Sequence, residues 1–339
     1  MSHQSMLLST LAQQDDLSLQ QTLSLNTWYS FDDSPLVASQ QSEQPLAYVS
    51  VFGFQLGMHV AQLAQQLRDW QCQVQAVVRY HADDDLPPGF AFAIANPQAE
   101  LNSQLKQYAA ENAVQCALLS NPPRLHTPGL LVMDMDSTAI TIECIDEIAR
   151  LAGVYDEVAA VTAQAMGGQL EFSDSLRQRV AKLAGVELSL LAELKEQLPL
   201  MPGIDHLCAT LKRHNWHVAI ASGGFIPFAE QVQKQLKLDR IHANQLADDG
   251  HVLTGVVNGD IVDAQEKARF LLAYRDELGV DAEQTVAIGD GANDLLMMHA
   301  AGLGVAVHGK PKVVAQAPTA INAGSLAQIL YLLSIPAFN

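Results

Sequence analysis

The 339-residue chain is 49% hydrophobic and 17% charged, the balance of a globular protein with a sizeable core and room for two or three domains. A formal net charge of -18 without any Lys/Arg run excludes a phosphate-backbone binder, which needs a basic face, and leaves small molecules as the expected partners. Four cysteines without CxxC spacing exclude a zinc knuckle or disulfide framework and fit a reducing cytoplasm; with no basic, apolar leader and no stretch of about 18 apolar residues, neither secretion nor a membrane span is expected.

Residues 1 to 45, rich in Gln, Ser, Leu and Asp with weak periodicity, form an N-terminal extension to which no structure is assigned. The pattern then sharpens. LAYVSVFGF (46–54) predicts a strand, GMHVAQLAQQLRDW (57–70) an amphipathic helix and QCQVQAVVRY (71–80) a second strand. GFAFAIA (89–95), PQAELNSQLKQYAAENA (97–113) and VQCALLS (114–120) predict strand, helix and strand. The resulting βαββαβ order over 46–120 is the split βαβ, ferredoxin-like arrangement. It resembles an ACT-type regulatory module, which would bind an amino acid; a packing role, or a homodimer formed through this domain, is the plainer alternative. NPPRLHTPG (121–129) is a linker, because three prolines and a glycine stop both helix and central strand.

From residue 130 to 339 short apolar runs alternate with helical patterns: LLVMD, WHVAIAS (216–222), TVAIGD (285–290) and LGVAVHG (303–309). Continuous apolarity predicts strands buried on both faces, hence an α/β domain with a parallel-sheet core. Asp134 and Asp136 follow the first run, Ser222, Gly223 and Gly224 the second, and GDGAND, with Asp290, Asn293 and Asp294, the third. In open α/β sheets ligands bind outside the carboxyl ends of the strands, so the three clusters converge on one edge. A largely helical insertion at about 145–200, including SDSLRQRVAKLAG (173–185) and SLLAELKEQL (189–198), predicts a cap between the first two core strands, and ANQLADDGHVLTGVV (243–257) a hairpin turning at Asp249-Gly250.

Three carboxylates at one edge, Asp134, Asp136 and Asp290, repel unless a cation sits among them, and a hard oxygen-liganded ion such as Mg2+ suits them. Ser222 offers a hydroxyl, the glycines expose backbone N–H groups, and Lys267 supplies a fixed charge. That set describes phosphoryl transfer, with Asp134 as in-line nucleophile forming an aspartyl-phosphate and Asp136 as acid and base. DMDST, Ser222, Lys267 and GDGAND together resemble the four-motif set of the haloacid dehalogenase-like phosphatases, over 130 to about 310.

Within that superfamily ECIDEIARLAG (143–153), MGGQLEFSDSLRQRV (166–180), ASGGF (221–225) and GDGANDLLMM (289–298) are similar to the branch that hydrolyses O-phosphoserine to serine and phosphate, the last step of serine biosynthesis. The resemblance implies that Glu143 and Arg179 read the amino and carboxylate groups while Phe172 and Met166 line the closed cavity. It also implies that Asp134, the main-chain carbonyl of Asp136, and Asp290 hold Mg2+, that Ser222, Gly223, Lys267 and Asn293 hold the phosphate, and that Asp294 orients Lys267. Taken singly, each residue has a plainer reading: Asp136-Ser137-Thr138 as a helix N-cap, Glu143 as dipole compensation, Lys267 or Arg179 as surface charges, Phe172 and Met166 as cap packing. Cys144 and Arg150 have the Cys-x5-Arg spacing of thiol phosphatases, but Asp146 and Glu147 lie where a phosphate loop needs glycine and N–H donors, so coincidence is the better account.

The rival functions are a phosphatase or phosphotransferase acting on another phosphorylated amino acid, and a non-catalytic amino-acid sensor. A dehalogenase would not need Asp136 and Asp290, and a P-type ATPase would need membrane helices.

Overall fold

The computed structural model describes residues 23–30, 45–53, 56–166 and 169–338, apart from the side chains of Ser30, Met58 and Met166. Among these residues no helix is long and apolar enough to cross a membrane. The chain divides into two compact units, one of Met1–His126 with Thr319–Gly324 and Gln328–Asn339, the other of Thr127–Pro318 with Ser325–Ala327.

The first unit is built on five strands, β1 (Trp28–Ser30), β2 (Ala47–Phe52), β3 (Val74–Tyr80), β4 (Gly89–Ile94) and β5 (Gln115–Leu119). Their order is β1-β3-β4-β2-β5, antiparallel throughout. Helices α1 (Leu56–Asp69) and α2 (Leu101–Asn112) complete the expected βαββαβ unit. Alternation decides the two faces: Val49, Val51, Phe90 and Phe92 join Val60, Leu63, Leu101 and Leu105 of the helices in one core. β1, three residues inside the expected 1–45 extension, extends the sheet; the rest of that extension lies outside the described residues except Leu23–Thr27 and Pro45.

The opposite face is buried too, by residues from the end of the expected 130–339 stretch. Residues 328–338 belong with the first unit because their apolar side chains cover that face. Tyr331 stacks on Phe52 with ring centroids 4.6 Å apart, and its carbonyl accepts from the Tyr80 hydroxyl at 2.8 Å. Trp28 donates its indole N–H to the Ala337 carbonyl at 3.1 Å and meets Phe338 edge-on at 4.8 Å.

The second unit carries β6 (Leu130–Met133), β7 (His217–Phe225), β8 (Arg240–Asp248), β9 (Leu253–Asn258), β10 (Thr285–Gly289) and β11 (Leu303–Val307). The order is β11-β10-β6-β7-β8-β9, parallel except for the antiparallel β8/β9 pair. Every residue of β6, β10 and β11 is buried, as continuous apolar runs require of strands covered on both faces. Four helices between β6 and β7 form the cap: α3 (Cys144–Leu151), α4 (Tyr155–Met166), α5 (Phe172–Ala181) and α6 (Leu188–Glu196). α7 (Ile204–Arg213), α8 (Ile226–Leu236), α9 (Ala264–Leu278), α10 (Leu295–Ala300) and α11 (Pro311–Gln316) flank the sheet. The β8/β9 hairpin turns at Asp249, whose Oδ1 accepts the N–H groups of His251 and Val252 at 2.9 Å. Leu253 of the hairpin exchanges backbone hydrogen bonds with Gly185 and Val186 at 2.8 Å, tying the connection between α5 and α6 to the core.

Tyr331→Ala should therefore destabilise the first unit by about 3–5 kcal/mol, the usual cost of deleting a buried aromatic ring. Hydrogen exchange should show β2 and β4 losing protection while β6 and β10 keep theirs; unchanged protection in β2 and β4 would refute this role for the C-terminal residues.

Candidate active site

Parallel strands ending at one edge bring the predicted clusters together. Asp134 continues the β6 ladder, its N–H donating to the Ile288 carbonyl at 3.0 Å, so its carboxylate leaves the sheet beside Asp290 at the end of β10. Asp134 Oδ1 accepts from the Met135 N–H at 2.7 Å, and Oδ2 lies 2.6 Å from Lys267 Nζ. Lys267 also donates to Asp294 Oδ1 at 2.7 Å, and Asp294 Oδ2 accepts the Gly291 N–H at 3.0 Å. With 0% of its surface exposed, Lys267 is not a solvated helix residue. Burial alone would lower its pKa; the charges and hydrogen bonds of Asp134 and Asp294 more than offset this and hold it protonated. Burial and the Asp134 charge push Asp294 up to about 7 against the pull of Lys267, and within this tightly coupled pair the proton stays on the lysine.

Asp134, Asp290 and Asp294 each offer a carboxylate oxygen, all within 4.8 Å of one another. Burial first, then the Asp134 charge, raises the Asp290 carboxyl, while a 3.1 Å hydrogen bond from Thr138 Oγ1 works the other way. Three carboxylates around one ammonium leave an excess of negative charge that a hard, oxygen-liganded cation fits. The Asp136 carboxylate, expected in this cluster with Asp134 and Asp290, is not in it; Asp294 stands there instead.

Two residues along, Asp136 sits differently. Its Oδ1 is buried with no hydrogen-bond partner. Burial above all, then the charges of Glu143 and Asp134, raise its carboxyl well above the ordinary range. The N-cap reading of Asp136-Ser137-Thr138 fails: the N–H groups of Ala139 and Ile140 return to the Met135 carbonyl, and the next helix starts at Cys144. Ser137, left-handed at φ 54°, donates its hydroxyl to Glu143 Oε1 at 2.7 Å. Glu143 keeps accessible surface because it faces a cavity, yet the protein around it desolvates the carboxyl and raises it.

The cavity, about 690 Å³, is lined by Asp134, Asp136, Glu143, Phe172, Arg179, Ser222, Gly223, Asp290 and Asn293. Lys267 and Asp294 lie behind it, and the side chain of Met166 is outside the described residues. Strand register shifts between Ala221 and Phe225, which lets Ser222, Gly223 and Gly224 bulge toward the cavity. A Cβ on Gly223 would sit 2.9 Å from Phe172 Cζ, and one on Gly224 3.0 Å from Asp136 Oδ2, so only glycine lets the cap ring and the second aspartate approach this closely. The Arg179 guanidinium is lowered by burial, partly offset by Asp146, Glu143 and Asp136, and its Nε has no hydrogen-bond partner. Arg150, in contrast, is exposed, paired with Glu147 and stacked over the Tyr155 ring, so the Cys-x5-Arg spacing is coincidental.

Two supports escaped the sequence reading. Asn244, buried in β8, donates to the Gly223 carbonyl at 2.8 Å and accepts the Val262 N–H at 2.9 Å, clamping the Ser222 loop to the approach of α9. Thr138 holds Asp290 as described. Asn244 lay in plain view in ANQLADDG, but only the turn after it carried a local signal.

Asp294→Ala should cost about 3 kcal/mol or more of stability, since removing one partner strands part of a fully buried ammonium charge. Asp294→Asn, which retains an acceptor, should cost less. Urea unfolding of both variants decides this, and an unshifted midpoint for the alanine variant would show that Asp134 alone satisfies Lys267.

Residues 129–302 match the family model of the haloacid dehalogenase-like hydrolases. The phosphoserine phosphatase of Vibrio cholerae is 47% identical over 256 residues, 76% of this chain and 78% of that protein. A solved unliganded structure of a probable phosphoserine phosphatase from V. cholerae is 40% identical and superposes with TM-score 0.70, covering 87% of this chain and 88% of that one. A solved phospho-aspartyl intermediate analogue of a phosphoserine phosphatase is 37% identical with TM-score 0.56, covering 60% of this chain and 98% of the other. The chain belongs to the haloacid dehalogenase-like hydrolases, in the phosphoserine phosphatase group.

Proposed function

We propose that the protein hydrolyses O-phospho-L-serine to L-serine and phosphate, the closing step of serine biosynthesis, through an aspartyl-phosphate on Asp134. The observation that carries this reading is one cavity holding two aspartates of opposite character together with an unpaired cation and an anion on its cap side.

Asp134, the nucleophile, is oriented before substrate binds by a donor on each oxygen, the Met135 N–H and Lys267. Asp136, raised by burial and like charge, keeps the proton that the serine oxygen needs as it leaves, and then takes one from the attacking water. Ser222 Oγ accepts from the Gly224 N–H at 2.9 Å, which leaves its own hydroxyl proton free for a phosphate oxygen beside the Gly223 N–H and the Asn293 amide. Lys267, oriented by Asp294, offsets the phosphate charge from behind. Mg2+ held by Asp134, Asp290 and the Asp136 carbonyl would supply the positive charge that lets carboxylates and phosphate share the site. On the cap side Arg179 takes the substrate carboxylate and Glu143 its ammonium, while Phe172, against Gly223, closes over them. Residues 46–120 act as an ACT-like module that binds an amino acid or makes a dimer, and the protein works in the cytoplasm without nucleic-acid or membrane partners.

Phosphate release from O-phosphoserine by purified protein, measured with Mg2+ and after chelation, tests the activity directly. Asp134→Asn keeps the volume but removes the nucleophile, and should retain less than about a thousandth of the wild-type rate. A faster variant would remove Asp134 from that role. Arg179→Ala should lower kcat/KM for phosphoserine by about 30-fold or more, as expected for a desolvated charged partner worth roughly 2–5 kcal/mol. Phosphoethanolamine, which lacks the carboxylate, should suffer much less; an equal fall for both would assign Arg179 to the phosphate or to the fold.

A further inference from the structure

Ser175 lies on α5 one helical turn before Arg179, so the two side chains share a face of that helix. It is 1% exposed, it lines the active-site cavity, and its Oγ has no hydrogen-bond partner. The carbonyl of Glu171, the usual local acceptor for a helical serine hydroxyl, takes the Ser175 N–H at 2.9 Å but not the hydroxyl. Arg179 repeats the situation one turn on: its Nε–H is buried, unpartnered and on the cavity side. Two orphan donors on one cap face are a cost to the empty protein, and a ligand that brings acceptors to both removes it.

From this geometry we infer that Ser175 is a specificity-determining residue, donating its hydroxyl to the carboxylate of the phosphorylated amino acid beside the Arg179 guanidinium. The inference rests on the phosphoserine reading and deepens it. The ligand group needed is planar and anionic with two acceptor oxygens, which describes a carboxylate; the phosphate is served from the strand ends by Ser222, Gly223 and Asn293. Glu143, also facing the cavity, is an acceptor suited to the ammonium and supplies nothing to a carboxylate. Recognition of the carboxylate is then shared between a charge, which attracts it, and a hydroxyl, which fixes its orientation.

The test is kcat/KM for O-phospho-L-serine and for phosphoethanolamine, in wild type, Ser175→Ala and Ser175→Cys. The cysteine variant keeps approximate shape but donates weakly. Each substitution should lower the preference for phosphoserine about 10- to 100-fold, the range for a hydrogen bond to a charged group. The substrate-free protein should meanwhile unfold at an unchanged or higher temperature, since an orphan hydroxyl has been removed. A merely structural serine predicts the opposite pair of results: a lower unfolding temperature and an equal loss for both substrates. An equal loss, or no loss, overturns the inference. If wild type itself does not prefer phosphoserine, the functional reading falls and this inference with it. If wild type prefers it and Arg179→Ala loses that preference while both Ser175 variants keep it, only the role of Ser175 is wrong.

Discussion

Like charges crowd the end of β6 and β10, and the site is organised by how that crowding is resolved. Asp134, Asp290 and Asp294 place carboxylate oxygens within 4.8 Å of one another, in a part of the molecule where burial denies them the screening of water. Lys267 answers part of the conflict. A lysine in the first turn of a helix opposes the helix dipole, and a lysine with no exposed surface loses its hydration, so neither local preference nor burial accounts for its position. Its two short contacts, to Asp134 and Asp294, do. One ammonium neutralises one of the three carboxylates, and the remainder is a standing demand for a cation and, through that cation, for a phosphate.

The same constraint separates the two aspartates of DMDST. Asp134 is held by a donor on each oxygen, whereas Asp136 has one oxygen with no partner and two negative neighbours, Glu143 and Asp134. One environment orients a carboxylate from both oxygens and the other raises its carboxyl by burial and like charge, although the residues are two apart in the chain. The backbone makes the difference. The turn at 135–140 closes on the Met135 carbonyl and sends Asp136 toward the cap while Asp134 stays in line with the sheet.

The core strands, the cap and the convergence of three clusters on one edge were legible in the sequence because each rests on a local pattern: unbroken apolar runs, helical periodicity, and polar or glycine residues directly after a strand. Features that depend on distant partners were not. β1 is three residues long and owes its existence to β3, so no periodicity announced it. Residues 328–338 read as the tail of the catalytic domain, yet Tyr331 and Phe338 find their partners in Phe52, Tyr80 and Trp28, more than 250 residues earlier in the chain. Asn244 and Thr138 are common polar residues whose importance lies in single tertiary hydrogen bonds. Lys267 was found by motif, but its complete burial, and so its place behind the cavity rather than in it, required the fold.

Chemistry and recognition are therefore assigned to different layers of one unit. The strand ends hold Asp134, the carboxylate cluster and the Ser222–Gly224 loop, the groups to which the proposed function gives the chemistry, on a sheet whose ladders are buried. The residues suited to read the rest of the substrate sit at the start of α3 and on α5 of the cap, joined to the hairpin over Gly185–Leu188 by three backbone hydrogen bonds. Three buried atoms without a partner lie where these layers face each other: Asp136 Oδ1 from the core, Ser175 Oγ and Arg179 Nε from the cap. A phosphorylated amino acid carries complementary groups at both ends, and a molecule that satisfies only one end leaves buried polar atoms unpaired at the other. Selectivity follows from that penalty more than from the strength of any one contact, because an unmet buried donor or acceptor costs more than a made hydrogen bond gains.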